Sequence, residues 1–117
     1  MKIIEIIEPL QAQIIAKGNL ENQEISGGYA GDLLSDVIAN AREDSVWVTI
    51  QSHPNVVAVA KLVGIPCIVV TNLQEVDEQT SQRAERESIT ILKTPLTTYQ
   101  AVATLSRLGL PGLKRNA

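Results

Sequence analysis

The residues of this sequence best suited to chemistry lie in three short polar runs, each closing an apolar stretch: Gln51-Ser52-His53-Pro54-Asn55, Thr71-Asn72, and Thr94-Pro95 with Thr97-Thr98 behind it. Imidazole, amide and hydroxyl groups donate and accept hydrogen bonds, so such runs suit a polar or anionic ligand. Ser, Thr and Asn also cap helix starts, and that structural role is the favoured reading for Thr71, Asn72 and Thr94, which by position remain candidate contacts. At residues 51–55 one cap would suffice, yet Gln51, His53 and Asn55 all offer hydrogen-bonding side chains. That turn, with Ser52, is therefore read as the main ligand contact. His53 is the only histidine and gains positive charge on mild acidification, so an anionic ligand should bind there more tightly as pH falls.

A further polar group, Asp32, Ser35 and Asp36, follows Gly27-Gly28-Tyr29. Carboxylates at i and i+4 share one face of a helix and could hold a cation or move a proton, although Asp32 is also a natural helix cap. One histidine and these acids match no metal-ligand spacing, so no metal or cofactor is expected. Phosphate-loop, dinucleotide, nucleophile-elbow and zinc-protease motifs are missing. Ser52 next to His53 is no nucleophile and base, because neighbouring side chains in a turn diverge. No catalytic residue is expected; an enzyme using His53 with Asp32 or Asp36 is the weakest alternative.

The elements that must position these runs follow from periodicity. Ile3, Ile6, Ile7 and Leu10 recur at helical spacing up to Pro9, which suggests a short helix. Residues 10–17 alternate as a half-buried strand, with Leu10, Ala12, Ile14 and Ala16 inward, before the Gly18-Asn19 turn. A short strand at residues 24–26 should break at Gly27-Gly28, where the backbone needs positive φ or close approach to another group. Leu34, Val37, Ile38 and Ala41 then mark a helix capped by Asp32.

From there a strand and a helix alternate three times. The strands are residues 46–50, 66–70 and 89–93; the helices begin at Pro54, near Asp77 and near Leu96. Strand starts lie about twenty residues apart, as parallel strands joined by helical crossovers require. The expected fold is one α/β domain over residues 1–110, a mostly parallel sheet of about four to five strands flanked by helices, with residues 111–117 a frayed tail. The polar runs then fall at the carboxyl ends of the strands, where open parallel sheets bind ligands.

Composition narrows the function classes. The chain of 117 residues has a net charge of -3 with its basic residues scattered, which argues against a nucleic-acid surface. The N-terminus is interrupted by acids and reads as neither signal peptide nor membrane span. A lone cysteine, Cys67, inside an apolar run fits a reducing compartment, so a cytoplasmic location is expected. Isoleucines at positions 3, 4, 6 and 7 would make both sides of one short helix apolar, and a homodimer is expected to cover the second side.

Two stretches add a resemblance: Gly27-Gly28-Tyr29-Ala30-Gly31-Asp32-Leu33-Leu34-Ser35-Asp36-Val37, and Trp47-Val48-Thr49-Ile50-Gln51-Ser52-His53-Pro54-Asn55 continued by Val56-Val57-Ala58-Val59-Ala60. Together they resemble the small stand-alone members of the DRTGG domain family. The resemblance implies a regulatory α/β domain related to the N-terminal domain of HPr kinase/phosphorylase, and in pyrophosphatases an association with diadenosine polyphosphates and dimer contacts. It transfers no kinase activity. The Asp-Arg pair in the family's name is absent, and Ser52-His53-Pro54-Asn55 occupies the turn where charged ligand contacts would be sought. The expectation is a non-catalytic regulatory or ligand-sensing domain that binds an adenine-nucleotide-type or other anionic small molecule at the carboxyl edge. The alternative is a module that dimerises or binds a partner protein without a small ligand.

Overall fold

The computed structural model describes residues 1–115. In chain order these form α1 (Ile4–Ile7), β1 (Gln13–Ala16), β2 (Gly27–Ala30), α2 (Leu34–Asn40), β3 (Ser45–Thr49), α3 (Asn55–Val63), β4 (Cys67–Val70), α4 (Glu78–Arg86), β5 (Thr90–Lys93) and α5 (Thr98–Arg107). The strands make one sheet in the order β1-β5-β4-β3-β2, with β2 to β5 parallel and β1 antiparallel at the edge. The fold is the mostly parallel α/β sheet that the strand spacing implies.

Each crossover from β2 to β5 moves one strand along in the same direction. Because such crossovers share one hand, α2, α3 and α4 must pack on the same face. Their buried residues Val37, Val56, Ala60 and Ala84 do meet there, around Trp47 and Ile68. The opposite face is covered by α1 and α5, where Ile6, Ala101 and Leu105 pack on Val46, Val48, Cys67 and Val69. The central strands β3 and β4 are buried on both faces and therefore read as unbroken apolar runs. Burial also pushes the Cys67 thiol up, which keeps it protonated.

Helix ends follow local chemistry. In α3, Pro54 precedes the first turn, and Gly64 ends the helix at φ +92 with its N–H on the Ala60 carbonyl. A capping box starts α5: Thr97 accepts from the Gln100 N–H while the Gln100 side chain accepts from the Thr97 N–H. Among the described residues no helix is long and apolar enough to cross a membrane.

Several expectations change. The strand expected at residues 24–26 is β2 itself and begins at Gly27; Glu24 makes only one bridge, to Lys2. The glycines do not break it, and the close-approach requirement falls on Gly27. A Cβ there would lie against the Pro111 carbonyl oxygen and 2.5 Å from Leu113 Cγ. Those contacts come from the expected frayed tail, whose residues 111–113 run alongside β2. Gly28 donates to Pro111 O at 2.9 Å, Leu113 donates to Gly28 O at 3.1 Å, and Arg115 donates to Asn40 O. Residues 116–117 lie outside the described residues.

In β1 the register shifts between Ile14 and Ala16, so Ile14 points to solvent instead of inward. Ile3 and Ile6 are buried in the core under α1 and Ile7 packs against it, which leaves Ile4 as the one exposed isoleucine of the four. The chain's own fold thus covers all but Ile4 of the isoleucines that motivated a dimer.

Candidate functional site

The carboxyl ends of β3, β4 and β5 each finish in a buried threonine, and their hydroxyls tie the edge together. Thr49 donates to Asp32 Oδ1 at 2.8 Å and accepts from the Gln51 N–H at 3.2 Å. The Thr71 hydroxyl lies 2.9 Å from that of Thr98. Thr94 donates to the Leu10 carbonyl at 2.5 Å and accepts from the Leu96 N–H. A buried hydroxyl must find partners, and these strand-end threonines find them on segments next to the ends of neighbouring strands.

An open parallel sheet offers a ligand crevice where consecutive connections leave on opposite faces. Here that place is between β4, which leads to α4, and β5, which leads to α5. The chain closes it: Asn72 donates to Leu96 O at 2.9 Å and Leu73 donates to Thr94 O at 3.0 Å. Asn72 and Leu73 adopt φ of 59° and 51° to make this turn. Thr71, Asn72 and Thr94 therefore hold two loops together rather than capping helices, the role favoured for them from sequence: the cap of α4 is Asp77 and that of α5 is Thr97.

The main turn is spread out rather than convergent. Gln51 donates through Nε2 to the Asp32 carbonyl at 3.0 Å. Ser52 is buried, and its carbonyl accepts from the Thr80 hydroxyl. His53 is exposed, with Nδ1 3.5 Å from Asp77 Oδ2, so an acid already faces it. At the start of α3 the Val56 and Val57 N–H groups are taken by the carbonyls of His53 and Pro54. Asn55 is exposed at the first position of that helix.

Asp32 is not the cap of α2, whose cap residue is Leu33 without a side-chain bond. Its Oδ1 accepts from both Thr49 Oγ1 and the Ile50 N–H, which pins the end of β2 to the end of β3. Nor does Asp32 share a helical face with Asp36. Asp36 accepts from the Tyr29 hydroxyl at 2.6 Å and from Asn40 Nδ2 at 2.9 Å. The Tyr29 hydroxyl, then Asn40, holds the Asp36 carboxyl below its ordinary value, and the same bond, then burial, raises the Tyr29 phenol. Gly27 and Gly28 lie at the opposite, amino end of β2 from Asp32.

With these polar groups engaged, what the edge presents outward is largely apolar. Leu33 is 68% exposed, Leu73 55% and Ile50 37%, one beyond the end of each of three adjacent strands. Tyr99, 85% exposed, lies in the first turn of α5, next to the Thr98 that meets Thr71. Sequence reasoning missed these four because it searched strand ends for polar residues. An apolar residue just past the last strand position, in a turn that cannot bury it, was the available signal.

Comparison with known proteins gives a consistent result. In fold the chain resembles the crystal structure of the CBS and DRTGG domains of the regulatory region of a Clostridium perfringens pyrophosphatase, complexed with its activator diadenosine tetraphosphate. The likeness has a TM-score of 0.74 at 14% identity and covers 89% of this chain and 47% of that one. The chain thus spans less than half the length of that neighbour. No curated protein matches it in sequence. The DRTGG domain model matches residues 5–108, nearly the whole chain, and the chain belongs to the DRTGG domain family.

Proposed function

We propose that this chain is a non-catalytic regulatory domain that senses an adenine-nucleotide-type ligand at the carboxyl edge of its sheet. One observation carries the proposal: Leu33, Ile50, Leu73 and Tyr99 stay exposed at a single edge, beside the accessible polar side chains of His53, Asn55 and Asn72. Apolar surface gathered in one place on a small domain marks a site of contact. Tyr99 and the aliphatic side chains suit the flat face of a base, and the surrounding imidazole and amides suit its polar rim. The neighbour of the same fold belongs to a regulatory region and is complexed with a dinucleotide, which supports this choice of ligand.

The same four residues favour a second reading, a homodimer or a complex with a partner protein formed through this edge without a small ligand. Two measurements on one set of proteins separate the readings. Diadenosine tetraphosphate, ATP and AMP are screened by thermal shift, since a ligand that binds only the folded state raises its apparent stability by about 2.7 kcal/mol at a hundredfold excess over Kd. Sedimentation at micromolar concentration reports the oligomer. A nucleotide-dependent shift lost in Tyr99→Ala supports the first reading. No shift, together with a dimer that Leu33→Arg dissociates, supports the second.

A further inference from the structure

A groove of about 490 Å³ lies between β2 and α5, away from the turn at residues 51–55. It exists because β2 is short of side chains on that face. Gly28 and Ala30 stand in register with Val46 and Val48, which pack toward α5, but fill little of the space beside them. Packing does not require the glycine: a Cβ at Gly28 would meet nothing closer than Val46 at 3.5 Å. Val102 and Leu105 of α5 form one wall. The segment after Leu110 forms the other, held to β2 by the two hydrogen bonds at Gly28.

We propose that this groove is a second binding site, lined by none of the residues assigned to the carboxyl edge, for a planar aromatic ring that carries an anionic group. Two small residues in a pleated strand make a flat floor, and aliphatic walls on either side leave a slot shaped for a ring. The volume falls within the roughly 300–1,000 Å³ of small-molecule sites. Lys114 is the only charged residue of the lining, and among the described residues it forms no ion pair. Asp36, whose carboxyl is lowered by the Tyr29 hydroxyl, then Asn40 and to a smaller degree the Lys114 charge, makes its hydrogen bonds to Tyr29 and Asn40 and no ion pair with Lys114. An ammonium at the mouth of an apolar slot selects a ligand with its negative charge at one end. None of these residues is among those assigned to the nucleotide edge, so the two proposals fail separately.

The test uses the full chain, well below its thermal transition, with two fluorescent probes that share one ring system. 8-Anilinonaphthalene-1-sulfonate carries the anion and N-phenyl-1-naphthylamine lacks it. Both should bind saturably at one site, with amide shifts centred on Gly28, Ala30 and Leu113. Ala30→Leu, which fills the floor, should weaken both at least tenfold. Val102→Glu changes an exposed helical side chain, so it tests the wall without risk to the fold, and it should weaken the anionic probe more strongly. Lys114→Gln should weaken the sulfonate several-fold and leave the neutral probe unchanged. Unsaturable binding to wild type, or equal affinity in wild type, Ala30→Leu and Val102→Glu, would overturn the site. Equal loss of both probes in Lys114→Gln would overturn the anionic part.

Discussion

Asp32 and Asp36 have the same side chain, four residues apart, and do unrelated work. Asp32 joins two strand ends by accepting from Thr49 and Ile50. Asp32→Ala leaves the Thr49 hydroxyl without its acceptor and should cost about 1–3 kcal/mol in urea unfolding, while Asp32→Asn, which keeps a carbonyl oxygen, should cost less. Asp36 instead anchors Tyr29. A carboxylate with a depressed folded pKa stabilises above its ordinary value of 3.8, and that contribution disappears as pH falls below 3.8 through the lower folded value. A phenol with a raised folded pKa stabilises below its ordinary 10.0 and loses this as pH rises above 10.0 through the raised value. The difference in melting temperature between wild type and Tyr29→Phe should therefore be constant across neutral pH and shrink at both ends. At this scale the sequence is ambiguous, because an Asp ahead of a helix reads as a cap whether it caps or bridges strands. Only the β2–β3 pairing, distant in sequence, decides.

At the scale of elements, the central strands and the helices that follow them are legible because periodicity and punctuation agree, as at Pro54 and Gly64. The edges are not. The β1 irregularity reverses which side chains face inward, and alternation alone cannot show a bulge. The β2 strand was hidden by its glycines, which read as a break, although they sit where another segment approaches. The two glycines should respond oppositely to the same change. Gly27→Ala drives a methyl group into Pro111 and Leu113 and should cost about 1–3 kcal/mol by overpacking. Gly28→Ala has room and should be neutral or mildly stabilising, because alanine loses less backbone freedom on folding. Thermal melts of the two variants check the contrast.

For the molecule as a whole, the parallel run of β3, β4 and β5 could be anticipated from the repeated strand–helix unit, and with it the location of those three strand ends. What each end presents to solvent could not, since the residues that look most chemical, the threonines with Asp32 and Gln51, are engaged in closing the edge. The surface left over is defined by apolar residues that the fold does not cover. Nucleotide recognition by this surface is the proposal on which the functional reading depends. The most direct measurement is calorimetric titration of diadenosine tetraphosphate into wild type, Tyr99→Ala and Leu33→Asp, with circular dichroism to verify folding. Wild type should bind saturably, Tyr99→Ala more weakly by about 1–3 kcal/mol through the loss of stacking, and Leu33→Asp not at all, because it sets a negative charge against the phosphates. Equal affinity in all three folded proteins, or no binding to wild type, would contradict it.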